Sequence, residues 1–476
     1  MSLALSLPPL IQGGMGVGVS NWTLANAVAR CGQLGVVSGT VLDTLLVRRL
    51  AAGDPCGAMR RAMARFPVPG VAEEVLRRYF RPDGLAAGEP YPLLPMWRQT
   101  VTRFRQQVAM LAAFVEVTLA KEGHDRPIGL NLLTKVQLPN LATLYGAMLA
   151  RVDVVLMGAG IPRDIPGVLD QLARHERVEL RLDVDGLPAG SSESFALDPS
   201  EHTVDREELQ RPIFLPIISA NSLATTLARK SNGRVDGFVV EGPTAGGHNA
   251  PPRGTLTLDE RGEPIYGERD IVDLAKLAEL GLPFWVAGGA GTPGALADAQ
   301  AAGARGVQVG TLFAFCDESG IDPGLKSQVL TALSQDDVRV ATDPRASPTG
   351  YPFKVVHVDG DGSEAALATR PRECDLGYLR TAYVQADGRL GYRCPAEPVD
   401  DYIAKGGALA DTEGRHCLCN GLLATIGYGQ RREHDRVEPP FITSGSDLEA
   451  LRTMLGGRSR YTAADVVAWV TGAPAA

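Results

Sequence analysis

Phe284-Trp285-Val286-Ala287-Gly288-Gly289, with Thr292-Pro293 just beyond, and Gly306-Val307-Gln308-Val309-Gly310-Thr311 decide how this chain is read. Each is a short apolar run that ends in glycine and leads into a helical pattern. The step from Gly288 to Gly310 is 22 residues, the length of one strand–helix unit, so the two glycine corners fall side by side at one end of a parallel sheet. A phosphate monoester needs backbone N–H donors and close backbone approach, which glycine permits and a helix start favours. In an eight-stranded α/β barrel, the loops after the last two strands are the phosphate position. The plainer alternative is a pair of tight strand-to-helix turns with no ligand.

The same pattern extends toward the N-terminus. Apolar strand candidates fall at 9–12, 35–38, 128–132, 153–157, 214–218, 237–240, 284–287 and 306–309, mostly Val, Ile and Leu with little alternation, as in strands buried on both faces. Helical spacing lies between them at 21–30, 141–150, 165–174, 222–230, 271–280 and 293–302. Eight strands in one run suit a closed barrel better than an open doubly wound sheet. The expected fold class is therefore α/β, a (β/α)8 TIM barrel over residues 1–320. A helical insertion at 41–120 follows the second strand, broken near Phe66-Pro67-Val68-Pro69-Gly70. An α+β extension at 321–476 is expected to be a substrate or lid domain, and residues 176–210 hold a short alternating stretch that the bare barrel does not need.

The chain has 476 residues, 45% hydrophobic and 21% charged, with a formal net charge of −8. That balance argues against a nucleic-acid or anionic-membrane partner. Arg48-Arg49 and Arg60-Arg61 are expected on a solvated helix face. No apolar run reaches the ~18 residues of a membrane span, and Met1 to Ile11 lack a charged leader, so a cytoplasmic protein is the expectation. Seven cysteines, an odd number, argue against a disulfide framework.

At the top of the sixth strand runs Glu241-Gly242-Pro243-Thr244-Ala245-Gly246-Gly247-His248-Asn249. The glycines let backbone lie against a flat ring, and His248 follows at the barrel mouth, where an imidazole can hydrogen-bond an anion or take a proton. A loop-structuring histidine is the alternative. Gln12-Gly13-Gly14-Met15-Gly16 closes the first strand, with glycine for close approach and Met15 as a polarisable contact. Asn131 places an amide in an apolar strand end, where it must bond either a ligand or loop backbone. In the tail, Cys374, Cys394, Cys417 and Cys419 are spaced 20, 23 and 2 residues apart. That spacing matches no standard Cys-x-x-Cys pair, so no metal ligand is assigned. Ser347 to Lys354 reads as a rigid loop that either lines a substrate pocket or is simply a structured turn.

These stretches resemble the nitronate monooxygenase (2-nitropropane dioxygenase-like) family. The resemblance covers about residues 8–40 and 125–320, through Gln12–Ser20, Leu24–Ser38, Gly129–Asn131, Glu241–His248, Ala287–Gly289, Gln308–Thr311 and Glu318-Ser319. It implies an FMN-dependent barrel flavoprotein, a monooxygenase that oxidises alkyl nitronates with dioxygen. It places the catalytic histidine at His248, the phosphate glycines at Gly288, Gly289 and Gly310 with Thr311, and other cofactor contacts at Met15, Gly16, Asn131, Glu241, Gly246, Gly247 and Gln308. Two features depart from the simpler family members: Asn249-Ala250-Pro251-Pro252 after the histidine, and the long tail. In length and loop style the chain is also similar to trans-acting enoyl reductases of polyketide and polyunsaturated fatty-acid synthases. That similarity implies reduction of carrier-bound or CoA thioesters and an acyl carrier protein as partner. A phosphate-binding barrel without redox activity is the third reading, and it predicts a colourless protein.

Overall fold

Strands with apolar side chains on both faces need cover on both sides, and this chain supplies it by closing the sheet on itself. The computed structural model describes residues 6–202, 207–358 and 363–472. Its eight main strands are β1 (Leu10–Gln12), β2 (Gly35–Ser38), β3 (Ile128–Leu133), β4 (Val154–Gly158), β5 (Ile213–Ile218), β6 (Phe238–Glu241), β7 (Phe284–Ala287) and β8 (Gly306–Val309). All neighbours pair in parallel, and β8 returns to β1 with Leu10 opposite Val307 and Gln12 opposite Val309. The last seam, β1 to β2, is closed by Gln12 N–H on the Leu34 carbonyl at 2.9 Å and Leu34 N–H on Leu10 at 3.1 Å. The protein is a (β/α)8 TIM barrel. All eight expected strands are present, each end within one residue of its expected position.

The two-residue strand period sorts the side chains. Ile11, Val36, Leu156, Leu215, Val239 and Trp285 form one buried cluster inside the barrel. Leu10, Val37, Val155, Phe214, Val240 and Val307 belong to the larger core shared with the helices. Trp285 is fully buried and donates to the Pro8 carbonyl at 3.0 Å. The same period that points Val239 inward also brings Glu241 inward two residues later, at the C-terminal end of the strand. The interior is thus apolar low down and carries its polar groups at the mouth.

The helical insertion is present as Leu42–Ala51, Ala58–Met63, Val71–Tyr79 and Arg103–Ala120, with a non-helical break at 66–70. One expectation fails there. Arg60 and Arg61 are exposed, but Arg48 is fully buried and Arg49 nearly so. Arg48 donates through Nη1 to the Tyr428 carbonyl and lies 5.3 Å from the Tyr91 ring centre, while Arg49 pairs with Glu116 at 2.7 Å. This helix face meets the tail rather than water, and local charge pattern carries no sign of that. The helix after β7 also starts later than Thr292-Pro293 suggests, at Ala295 behind Gly294 with φ 90°.

Residues 176–210 contribute an antiparallel pair, Val178–Leu182 with Glu193–Leu197; residues 203–206 lie outside the described residues. The tail is α+β, with hairpins Val338–Asp343/Phe353–Val358 and Thr381–Val384/Leu390–Arg393. Its last helix, Ala463–Thr471, packs against the helices Trp22–Arg30 and Ala295–Ala301, and Trp469 Nε1 donates to the Gly291 carbonyl at 2.9 Å. Among the described residues no helix is long and apolar enough to cross a membrane. Residues 1–5 of the stretch read for a leader lie outside them.

Candidate functional site

The C-terminal strand ends surround a cavity of about 1500 Å³, its open mouth included. All twelve residues singled out from the sequence line it: Met15, Gly16, Asn131, Glu241, Gly246, Gly247, His248, Gly288, Gly289, Gln308, Gly310 and Thr311. They come from the C-terminal ends of five different strands and the loops after them, and barrel closure brings them to one place.

The β1 loop is set by a buried side chain. Gln12 Oε1 accepts the Val36 N–H at 2.9 Å, and its Nε2 donates to Ser20 Oγ at 2.7 Å. Ser20 Oγ in turn accepts the Met15 N–H at 2.8 Å. Asn131 uses its amide nitrogen on the Gly14 carbonyl at 3.1 Å, so the loop-backbone reading of this residue holds for Nδ2. A Cβ on Gly14 would stand 2.2 Å from Asn131 Cβ, which is why this position has no side chain.

The two glycine corners lie on neighbouring strands, Ala287 paired with Gln308. Gly288 and Gly289 take φ of 89° and 70°, a region where glycine avoids the clash that other residues meet. Gln308 Oε1 is buried and accepts no hydrogen bond from the protein, and Gln308 lines the cavity. An orphaned buried acceptor beside two glycine corners suits a polar ligand that supplies the missing donor.

The tail closes this side of the mouth, which local sequence gives no sign of. Ser446 N–H donates to the Thr244 carbonyl at 2.9 Å, Gly247 N–H to Thr443 Oγ1 at 3.1 Å, and Gly445 N–H to Thr311 Oγ1 at 3.0 Å. Asp447 Oδ2 accepts the Gly291 N–H at 3.1 Å, putting a carboxylate at the edge of the glycine corner. No Lys or Arg lines the cavity among the described residues. A phosphate held here therefore rests on backbone donors with an anion as neighbour. We predict that Asp447→Asn tightens binding of a phosphate-bearing cofactor by roughly fivefold, since one screened charge contact near a surface is worth about 1 kcal/mol or more. Fluorescence titration of the released cofactor back on to stripped protein measures it; unchanged or weaker affinity would place the phosphate elsewhere.

His248 ends the loop after β6, the strand that pairs with β7. Its Nε2 is 2.7 Å from Ser347 Oγ, its ring meets Phe353 edge-on at 4.8 Å, and its backbone forms an antiparallel bridge with Phe353. Burial brings its pKa down to about 4, so the imidazole is neutral at pH 7. Burial also pushes Glu241 up to about 8, with no facing cation to offset it. Of the loop 347–354, Ser347 and Phe353 serve the site. Lys354 does not line the cavity; it is buried, donates to Thr342 Oγ1 at 2.5 Å and has Glu263 as its acidic neighbour.

Glu241 makes stability pH-dependent. Its folded pKa, about 8, lies above the ordinary 4.5, so folding favours the protonated form. That contribution is complete below pH 4.5 and is lost as pH rises through 8. Urea midpoints of cofactor-stripped wild type should fall across this window relative to Glu241→Gln. Parallel curves for the two proteins would show that Glu241 titrates normally.

The profile of the nitronate monooxygenase family matches residues 113–387, more than half of the chain. A nitronate monooxygenase of Paraburkholderia phytofirmans is 29% identical over 205 residues, 43% of this chain and 53% of that one. A Rhodococcus jostii protein named (3aS,4S,5R,7aS)-5-hydroxy-7a-methyl-1-oxo-octahydro-1H-indene-4-carboxyl-CoA dehydrogenase is 30% identical over 166 residues, 35% of this chain and 40% of that one. The matches thus span about half or less of these relatives' lengths. Among solved structures, nitroalkane oxidase from Streptomyces ansochromogenes is similar at 17% identity and TM-score 0.44, over 98% of this chain and 95% of that one.

Proposed function

This chain belongs to the nitronate monooxygenase family, and on that premise we propose that it is an FMN-dependent oxidoreductase that oxidises alkyl nitronates with dioxygen. The observation that carries the reading is one cavity lined by both glycine corners, the unpartnered Gln308 carbonyl and His248. The residues suit FMN. Gly288, Gly289, Gly310 and Thr311 would hold the phosphate, Gln308 would accept from the ring system, and the β1 loop with Met15 and Gly16 would lie along it. Bound flavin supplies a two-electron acceptor whose reduced form reacts with dioxygen.

The protein's own groups set the rest. Leu133, Val136, Phe353, Leu418 and Leu422 give the cavity an apolar wall for an alkyl group. Glu241, held protonated at neutral pH, donates a hydrogen bond instead of repelling an anionic substrate. Neutral His248 is anchored through one ring nitrogen and leaves Nδ1 to bond the nitro group or take a proton. The tail, 321–476, acts as substrate wall and lid through Phe353, Leu418 and the segment 443–447.

The test is a spectrum followed by two reductants. The purified protein should be yellow, release FMN on denaturation, bleach anaerobically with an alkyl nitronate and take up oxygen in air. Bleaching by NAD(P)H with turnover of an enoyl thioester would replace this reading with the enoyl-reductase one, with an acyl carrier or CoA as the substrate's handle. A colourless protein that binds no flavin would end both.

A further inference from the structure

The arm that follows His248, residues 249–273, lines no part of the cavity that holds the glycine corners. It builds a second space instead. Arg253, Tyr266 and Asp270 from the arm, with Ser219 from just beyond β5, line a cleft of about 320 Å³. Ala250 and Pro251, in the stretch where the chain departs from the simpler family members, complete its wall. Asp270 Oδ1 accepts the Arg253 N–H at 2.8 Å, Asp270 Oδ2 accepts the Gly267 N–H at 2.8 Å, and Tyr266 OH donates to the Ala250 carbonyl at 3.1 Å. These bonds hold the two limbs of the arm together. Arg253 is exposed, so the cleft reaches the protein surface.

Glu241, the last residue of β6, is the one residue that lines both spaces. A carboxyl in that position can part with a proton on one side and regain it on the other. The cleft is polar and suits water, whereas flavin and substrate would fill the main cavity. The titratable and charged groups beside Glu241 are His248, Tyr378, Cys419 and Asp447 in the main cavity, and Tyr266, Asp270 and Arg253 in the cleft. Burial, with Asp270 and Glu241 as neighbours, pushes Tyr266 up to about 12, so it stays a hydroxyl. Burial also keeps His248 neutral. Glu241, raised to about 8 by burial, starts each cycle protonated at neutral pH.

We propose, on the flavoenzyme reading, that Glu241 is a proton port: its carboxyl delivers a proton into the main cavity and is reprotonated through water in the second cleft. Dioxygen that takes two electrons from reduced flavin needs two protons to leave as hydrogen peroxide. One travels with the electrons from the flavin N–H. Glu241 gives the other. Its O–H bond breaks, a peroxide O–H bond forms, and the carboxylate left behind takes a proton from solvent through the cleft, which restores the starting state. A carboxyl already protonated when dioxygen arrives acts as a general acid at once.

The test uses flavin-loaded, full-length protein and two readouts. In the infrared, wild type at pH 7 should show a protonated-carboxyl band that Glu241→Gln lacks and that fades as pH rises through about 8. In stopped flow, oxygen should reoxidise reduced Glu241→Gln roughly 10²-fold more slowly than wild type, the usual value of a positioned acid. Ala250→Leu narrows the cleft at a residue that does not line the main cavity. Its first reoxidation should match wild type, because the carboxyl starts protonated. Its steady-state turnover of a nitronate should fall by roughly tenfold or more, since reprotonation then limits each cycle. Should Ala250→Leu not fold, Tyr266→Phe takes its place with the same expected split. An infrared spectrum unchanged in Glu241→Gln, or reoxidation of that variant at the wild-type rate, overturns the port and leaves the flavoenzyme reading standing. Cleft variants that lose both rates equally, or neither, overturn it as well. A colourless protein removes the flavoenzyme reading itself, and the port with it.

Discussion

Replacing His248 with alanine should leave the protein yellow and remove most of its turnover. His248 is not one of the glycine-corner residues, so its loss leaves the proposed phosphate contacts in place. The backbone bridge to Phe353 and the Gly247–Thr443 hydrogen bond hold the loop without the ring. What disappears is the one imidazole that lines the cavity among the described residues, held neutral by burial, with its pKa near 4. A positioned group of this kind contributes roughly 10²–10⁴-fold. Anaerobic flavin reduction by a nitronate and oxygen uptake should both fall by about that factor, with flavin content preserved. Ser347→Ala, which removes only the partner of Nε2, should fall about fivefold, the value of one hydrogen bond near 1 kcal/mol. A His248→Ala enzyme at the wild-type rate would take the residue out of the chemistry.

Replacing Gly288 with valine should cost the protein its flavin. At φ 89° any L side chain is strained, and a Cβ here would stand 2.9 Å from Thr244 Oγ1, 3.1 Å from the Ala245 nitrogen and 3.3 Å from the Gly242 oxygen. Two of these are backbone atoms of the β6 loop, so the loops after β6 and β7 must part, and with them the proposed phosphate cradle. Backbone strain of this kind costs about 1–3 kcal/mol. Added to displaced donors, it should weaken flavin binding by more than roughly tenfold. Gly294→Ala separates strain from site: φ there is 90°, but nothing lies within 4 Å of its Cβ. That variant should lose stability and keep its flavin. Fluorescence titration of stripped proteins, with circular dichroism to confirm folding, makes the comparison. Equal flavin affinity in Gly288→Val and wild type would move the phosphate away from this corner.

The eight strands, the two glycine corners and His248 were legible from sequence because each is written locally. A strand buried on both faces is a continuous apolar run, and a strand end that must approach a ligand closely is a glycine. That the twelve residues singled out through this pattern and the family resemblance line one cavity follows from the rule that a barrel gathers its loops at one end. The partners of those residues are another matter. Ser347 reaches His248 across 99 residues, Gly445 reaches Thr311 across 134, and Gly247 reaches Thr443 across 196. Arg48 reads as a solvated charge until the tail arrives to bury it.

Sequence by itself therefore determined the barrel, the end that carries the cavity and the histidine that lines it, since periodicity and glycine placement act through a residue's immediate neighbours. Tertiary structure alone decided that the tail bears on that site, that Asp447 stands by the glycine corner and that Cys374, Cys394, Cys417 and Cys419 line one small cavity. These depend on contacts between segments far apart in the chain, and no local spacing encodes which distant segment will pack where.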